Sequence, residues 1–240
     1  MTKFLTARWE NLIMANYAVD PKVLIPYLPA GTELDFYNGE TFVSLVGFLF
    51  KGTKLFKIPI PGLGTFEEIN LRFYVTRKEG NRVNRGVVFI NETVPYKPVA
   101  WLANYLYKEH YIAIPTKHQW KIVGEKKEIE YQWKTGKIWN HIQVEALCDS
   151  SLMQEKSIEE FIFEHYFGYT KVEKNTTIEY KISHPRWNIN QVVNYKVNCN
   201  FDTMYGKDFG FLNDKNPNSI MIAEGSDISV DWKRKELNII

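Results

Sequence analysis

Apolar and polar residues alternate with period two through much of this chain, the mark of strands with one face turned to a core and the other away from it. The pattern predicts strands over 67–77, 86–94, 111–114, 121–123, 128–134, 137–147, 176–182, 191–200 and 220–230. A hairpin is expected where Glu33–Tyr37 and Thr41–Lys51 flank Asn38-Gly39. Helical spacing is confined to short pieces. Asp20-Pro21 opens one that Leu28-Pro29 stops, and 98–108 carries Val99, Leu102, Ala103 and Leu106 on one face. Ser157-Ile-Glu-Glu160 opens another that runs to about Tyr166 and ends at Gly168. A helical turn is expected near 201–206, and Pro59, Pro61, Gly62 and Gly64 make 57–64 a loop. The tally is an α+β chain, mostly antiparallel β, with a few short helices around a barrel or sandwich. No repeat, linker or composition step divides it, so residues 1–240 read as a single domain.

Charge narrows the partner. Thirty Lys plus Arg against 28 Asp plus Glu give a net charge of +2, which argues against a polyanion and for a small molecule rather than nucleic acid. Two cysteines, Cys148 and Cys199, form neither a disulfide framework nor a zinc spacing, and they point to a reducing compartment, the cytoplasm. The start, Met1 to Trp9, is too polar for a signal peptide, and no apolar run is long enough for a membrane span. Assembly with further copies of the chain stays open. The composition is 15% aromatic, which favours strands and apolar-walled pockets.

Established catalytic signatures are missing: no nucleophile elbow, no zinc-protease helix and no phosphate loop. His141, Gln143 and Glu145 share a strand face but need only be a solvated face, so no metal and no cofactor are expected. The informative segment is Glu67-Glu-Ile-Asn-Leu-Arg-Phe-Tyr-Val75. One face carries Ile69, Leu71, Phe73 and Val75, and the other carries Glu68, Asn70, Arg72 and Tyr74. The polar stripe is either an exposed outer face or the lining of a barrel cavity, and burial decides between them. In a cavity, Arg72 offers a planar fork for a carboxylate, and Glu68 becomes an acid or base if desolvation raises its pKa. His184 and Trp187 form either a structural corner or a pocket rim. Lys117 is either a solvated amine or a Schiff-base nucleophile.

These residues carry a resemblance. The run Trp9 to Tyr17, Asp20-Pro21 through Asp35, Gly39 to Phe48, and Phe66-x-Glu68-x-Asn70-x-Arg72-x-Tyr74-Val75, with Gly86-Val87-x-Phe89, Pro115 and His184-Pro-x-Trp187, resembles the uncharacterised YqjF-like proteins. Those are similar in turn to acetoacetate decarboxylase. The resemblance implies a cone-shaped, largely antiparallel β-barrel with a central cavity. It puts the decarboxylase's imine-forming lysine at Thr116, its second lysine at Lys117 and its cavity glutamate at Glu68. The decarboxylase's arginine falls near Glu10 and Arg8, which leaves Arg72 to supply the positive charge. Threonine cannot form an imine, so the implied protein keeps the cavity and loses the nucleophile.

The expected function is therefore binding of a small organic acid or ketone by Glu68, Asn70, Arg72 and Tyr74, with Thr116, Lys117, His184 and Trp187 as further contacts. Glu68 is the candidate acid or base. The alternatives are a ligand binder without catalysis, an interaction protein whose cavity has filled with rings, and an imine-type decarboxylase using Lys117. If the barrel forms, Tyr74 is the ring expected in its wall, with Trp101, Tyr105 and Trp187 as further candidates.

Overall fold

The stretch Leu12-Ile-Met-Ala-Asn-Tyr-Ala-Val19 shows no alternation, and in the computed structural model, which describes residues 2–239, it lies in the longest strand. Both faces of that strand are covered, so apolar residues are required at odd and even positions alike. This is β1 (Lys3–Val19), and period-two reading passed over it.

Among the described residues fifteen strands join one sheet. After β1 come β2 (Glu33–Leu34), β3 (Thr41–Leu55), β4 (Ile58–Pro59), β5 (Phe66–Glu79), β6 (Arg82–Val94), β7 (Tyr111–Ala113) and β8 (Thr116–Val123). They are followed by β9 (Lys126–Thr135), β10 (Ile138–Leu152), β11 (Phe167–Glu173), β12 (Thr176–Ser183), β13 (Asn188–Asn198), β14 (Ser219–Asp231) and β15 (Lys235–Asn238). The helices are α1 (Pro21–Leu24), α2 (Lys97–Tyr107), α3 (Ile158–Phe163) and α4 (Phe201–Tyr205). The chain is thus mostly antiparallel β with few helices, as the sequence pattern predicts; β6 makes the parallel pairings, with β7 and β11.

The main path of the sheet runs β15–β12–β11–β6–β5–β3–β1–β14–β13–β10–β9–β8. β14 also pairs with β12, at Ile182↔Val230 and Ser183↔Ser229, so the path from β12 through β5 and β1 returns on itself. β1, β3, β5 and β6 carry separate apolar clusters on their two faces. On one face Ile13, Leu45, Leu71 and Phe73 pack with Tyr131, Trp133 and Ile142 of β9 and β10. On the other, Leu12, Met14, Phe48 and Phe89 pack with Phe161 and Trp187.

Three local expectations change. The hairpin at Asn38-Gly39 keeps its turn, with Tyr37 bridged to Glu40, but Glu33–Leu34 pairs with β5 rather than β3. Asp35 drives this diversion: its backbone N–H bonds the Tyr74 carbonyl, and its carboxylate takes Arg85 at 2.8 Å. The helix expected from Ser157 to Tyr166 stops at Phe163, because the Tyr166 N–H bonds the Arg85 carbonyl instead of a helical one. Gly168 consequently sits in β11, not at a helix end. The third change is at Lys108, which ends α2 in the left-handed conformation (φ 57°) and turns Glu109 and Tyr111 back toward β6.

Candidate functional site

The polar stripe of β5 is buried. Glu68 is 3% and Asn70 1% exposed, while Ile69, Leu71 and Phe73 on the opposite face are fully buried, so the solvated-face reading fails for this strand. Glu68, Asn70 and Arg72 line a cavity of about 400 Å³. Trp9 of β1 and Phe48 and Phe50 of β3 form an aromatic wall, with Trp9 and Phe48 ring centroids 4.9 Å apart. Trp101 and Leu102 of α2, together with Ile60 and Leu63, which follow β4, also line it.

Three glutamates share this cavity. Glu68 accepts from Asn70 Nδ2 at 3.1 Å and from the Tyr111 hydroxyl at 3.0 Å. Those bonds favour its charged form, yet burial outweighs them and, with repulsion from Glu109, pushes its pKa up to about 7. Glu109 accepts from Thr170 at 2.6 Å and Tyr180 at 2.8 Å, and burial likewise raises it to about 7. Glu92 is pushed well above the ordinary carboxylate range by burial, then by Glu109 and Glu68. Carboxyls that repel one another in this way titrate as a set.

Polar atoms are left free for an occupant. Glu92 Oε2, Glu109 Oε2, Asn70 Oδ1 and Arg72 Nε are buried with no hydrogen-bond partner. Arg72 Nη2 reaches the Ile162 carbonyl at 3.3 Å and Met14 Sδ at 3.4 Å, and its guanidinium carbon stands 5.6 Å from the Tyr74 ring centre. Among the described residues no carboxylate lies within ion-pair distance of it. A half-buried guanidinium at a cavity wall without a counter-ion can receive an anion.

The other expected contacts fall elsewhere. Thr116 and Lys117 start β8 outside the cavity: Thr116 bonds Glu67 at 2.6 Å, and Glu67 projects from the β5 face opposite Glu68. The exposed Lys117 ammonium sits 4.5 Å over the Trp139 ring. Lys117 therefore cannot serve as the displaced imine lysine, and among the described residues no lysine lines the cavity. Tyr74 is buried behind the wall, its hydroxyl 2.6 Å from Ser44 and its ring 4.7 Å from that of His165. Trp187 backs Trp9 at 6.2 Å, donates to Ser226 at 2.8 Å, and stacks on His184 at 4.1 Å, so this pair is a structural corner. Trp101 does line the cavity, and Tyr105 stacks on it from outside. Arg8 pairs with Glu10 at 3.0 Å and is half-exposed. Glu145 is taken by Lys126 at 2.6 Å.

Sequence reasoning missed Glu92, Glu109, Tyr111 and Tyr180. Glu109 and Tyr111 follow a helix end, where no periodicity applies. Tyr180 was legible as the middle of the apolar series Ile178, Tyr180, Ile182. Glu92 was hidden by a bulge: Arg72 pairs with Phe89 while Asn70 pairs with Glu92, so Ile90 is one residue extra. Phe89 and Glu92 therefore both line the cavity despite their odd spacing.

A mostly antiparallel sheet around a cavity with an unpaired arginine and buried glutamates is the class of protein this geometry defines. Residues 6–227 match the DUF2071 family of uncharacterized conserved proteins, and the chain belongs to that family. The uncharacterized protein YqjF of Bacillus subtilis is 38% identical over 71 residues, which spans 29% of this chain and 29% of that relative's length. In fold the chain is similar to an acetoacetate decarboxylase-like enzyme from Sphingomonas wittichii (TM-score 0.67, 10% identity, covering 100% of this chain and 95% of the other). It is also similar to the enduracididine biosynthesis enzyme MppR, solved with the condensation product of pyruvate and imidazole 4-carboxaldehyde (0.69, 11%, covering 99% and 91%). A third similar fold is acetoacetate decarboxylase from Legionella pneumophila (0.63, 11%, covering 100% and 90%). Among the described residues no helix is long and apolar enough to cross a membrane.

Proposed function

We propose that the chain is a single-domain barrel whose cavity binds a small organic acid with an apolar body, and that Glu68 serves it as acid or base. The observation that carries this reading is Arg72, a half-buried cation with no carboxylate partner among the described residues and a buried, unpartnered Nε, on the same strand face as a glutamate whose pKa is raised to about 7. A group poised near neutrality accepts and returns protons with the least cost in driving force. The cavity volume falls in the range of small-ligand sites, and its apolar walls leave specificity to the few polar groups that line it. The similar MppR fold solved with pyruvate makes 2-oxo acids the first compounds to try. Free thiols at Cys148 and Cys199 suit a reducing cytoplasm.

A void of this size beside Glu68 speaks against the interaction-protein reading, which required rings to fill it. Imine chemistry lacks an amine at the site. The test is calorimetric titration with 2-oxo and 3-oxo acids of three to eight carbons, followed by product analysis. We expect binding of at least one series, and turnover that Glu68→Gln removes. Absence of binding by every acid, or turnover unchanged in Glu68→Gln, overturns the reading. Borohydride reduction with acetoacetate is expected to leave the intact mass unchanged.

A further inference from the structure

We infer that Glu92 is a second catalytic residue, a neutral carboxylic acid that hydrogen-bonds the carbonyl oxygen of a bound 2-oxo acid while Glu68 removes a proton from the adjacent carbon. This rests on the organic-acid reading of the cavity and gives it a reaction class, enolisation.

The argument is the order of groups along β5. Arg72, Asn70 and Glu68 stand at two-residue steps, so Arg72 and Glu68 are about 13 Å apart at the backbone. Glu92 is directly opposite Asn70, between them. An anion receptor, a middle group and a base follow the order of carboxylate, carbonyl and C–H in a 2-oxo acid, and their side chains all line the one cavity. Tyr111 donates its hydroxyl to Glu68, while Glu92 keeps Oε2 buried, unpartnered and at the cavity. A carboxyl held neutral in an apolar site donates to a developing enolate oxygen as a backbone N–H does in an oxyanion hole. Glu92 is held neutral by burial and by Glu109 and Glu68; the Tyr111 hydroxyl and the His110 backbone N–H also face it, and Tyr180 lies nearby.

The step balances without a co-reactant. The Glu68 carboxylate takes a proton from C3, and the C–H electron pair becomes the C2=C3 bond. The carbonyl π pair moves to oxygen, which receives the Glu92 proton. Ketone and enol are isomers, so nothing is oxidised or reduced. Reversal in heavy water delivers deuterium to C3.

The experiment is proton NMR of pyruvate, 2-oxobutanoate and 2-oxohexanoate with the protein in D₂O, following loss of the C3 signal, with calorimetry for binding. Wild type is expected to accelerate exchange, and Glu92→Leu to slow it about 100-fold at saturating ligand, a larger loss than its change in Kd. In Glu92→Gln, whose amide still donates, exchange persists but its decline at high pH disappears, because no acid remains there to ionise. That pH profile decides the matter should the leucine variant fail to fold. If no 2-oxo acid binds wild type, the organic-acid reading itself fails. If one binds and exchange is absent, or is the same with the same pH profile in both variants, the role of Glu92 is overturned and the binding site stands.

Discussion

Asn70 and Glu92 face each other across β5 and β6, and one residue farther along β5 the register slips so that Arg72 faces Phe89. The single extra residue, Ile90, puts an acid and an aromatic ring three positions apart on the same cavity wall. A bulge re-aims side chains in this way at many functional sites.

Arg72 is the group whose loss should separate binding from folding. Arg72→Met is expected to weaken binding of any carboxylate ligand by 100-fold or more in calorimetry. Its Tm should change little, since the half-buried guanidinium has no ion pair to lose. Arg72→Lys is not expected to restore affinity, because a point charge does not reproduce the planar fork.

Glu68 ties stability to pH. Its folded pKa of about 7 lies above the ordinary carboxylate value of 4.5, so the folded state holds the proton more tightly than the unfolded state. Stability from this group is complete below 4.5 and is lost as pH rises through 7. Glu68→Gln should therefore raise Tm relative to wild type by several degrees at pH 8 and by much less at pH 5, read by thermal melts across that range.

His165 acts with the opposite sign. It is buried, 3.2 Å from Asp35, and burial lowers its pKa to about 4. The unfolded chain binds its proton near 6.5, so stability is present above 6.5 and falls as pH drops toward 4. The destabilisation caused by His165→Gln, measured by denaturant titration, should be smaller at pH 5 than at pH 7.5.

Gly168 supports the site from a distance. A side chain there would collide with the Tyr180 ring, which packs on bare backbone across the β11–β12 pair. Gly168→Ala should cost about 1–3 kcal/mol in denaturant titration. It should also move the Tyr180 hydroxyl off Glu109, visible as a changed titration of the cavity carboxyls by NMR.

The alternation of Glu68, Asn70, Arg72 and Tyr74 against Ile69, Leu71 and Phe73 was legible because a strand's side chains must alternate. It could not say whether the polar face met water or a void. β1 carried no such signal, since a strand covered on both faces has no alternation. Tyr74 shares a strand face with Arg72, yet its ring turns to Phe161 and His165 rather than to the cavity.

From sequence alone came the strand-rich class, the near-neutral charge that favours a small ligand, and the stripe of β5 with its acid and its cation. Local rules suffice for these, because they depend on neighbours a few residues apart. Tertiary structure decided that the stripe faces a cavity, that Thr116 and Lys117 do not, and that Glu92 and Glu109 join Glu68. Those outcomes depend on a bulge, on a left-handed helix end, and on β14 returning to β12. Each joins residues distant in the chain, and the burial that raises the glutamate pKa values exists only once they have met.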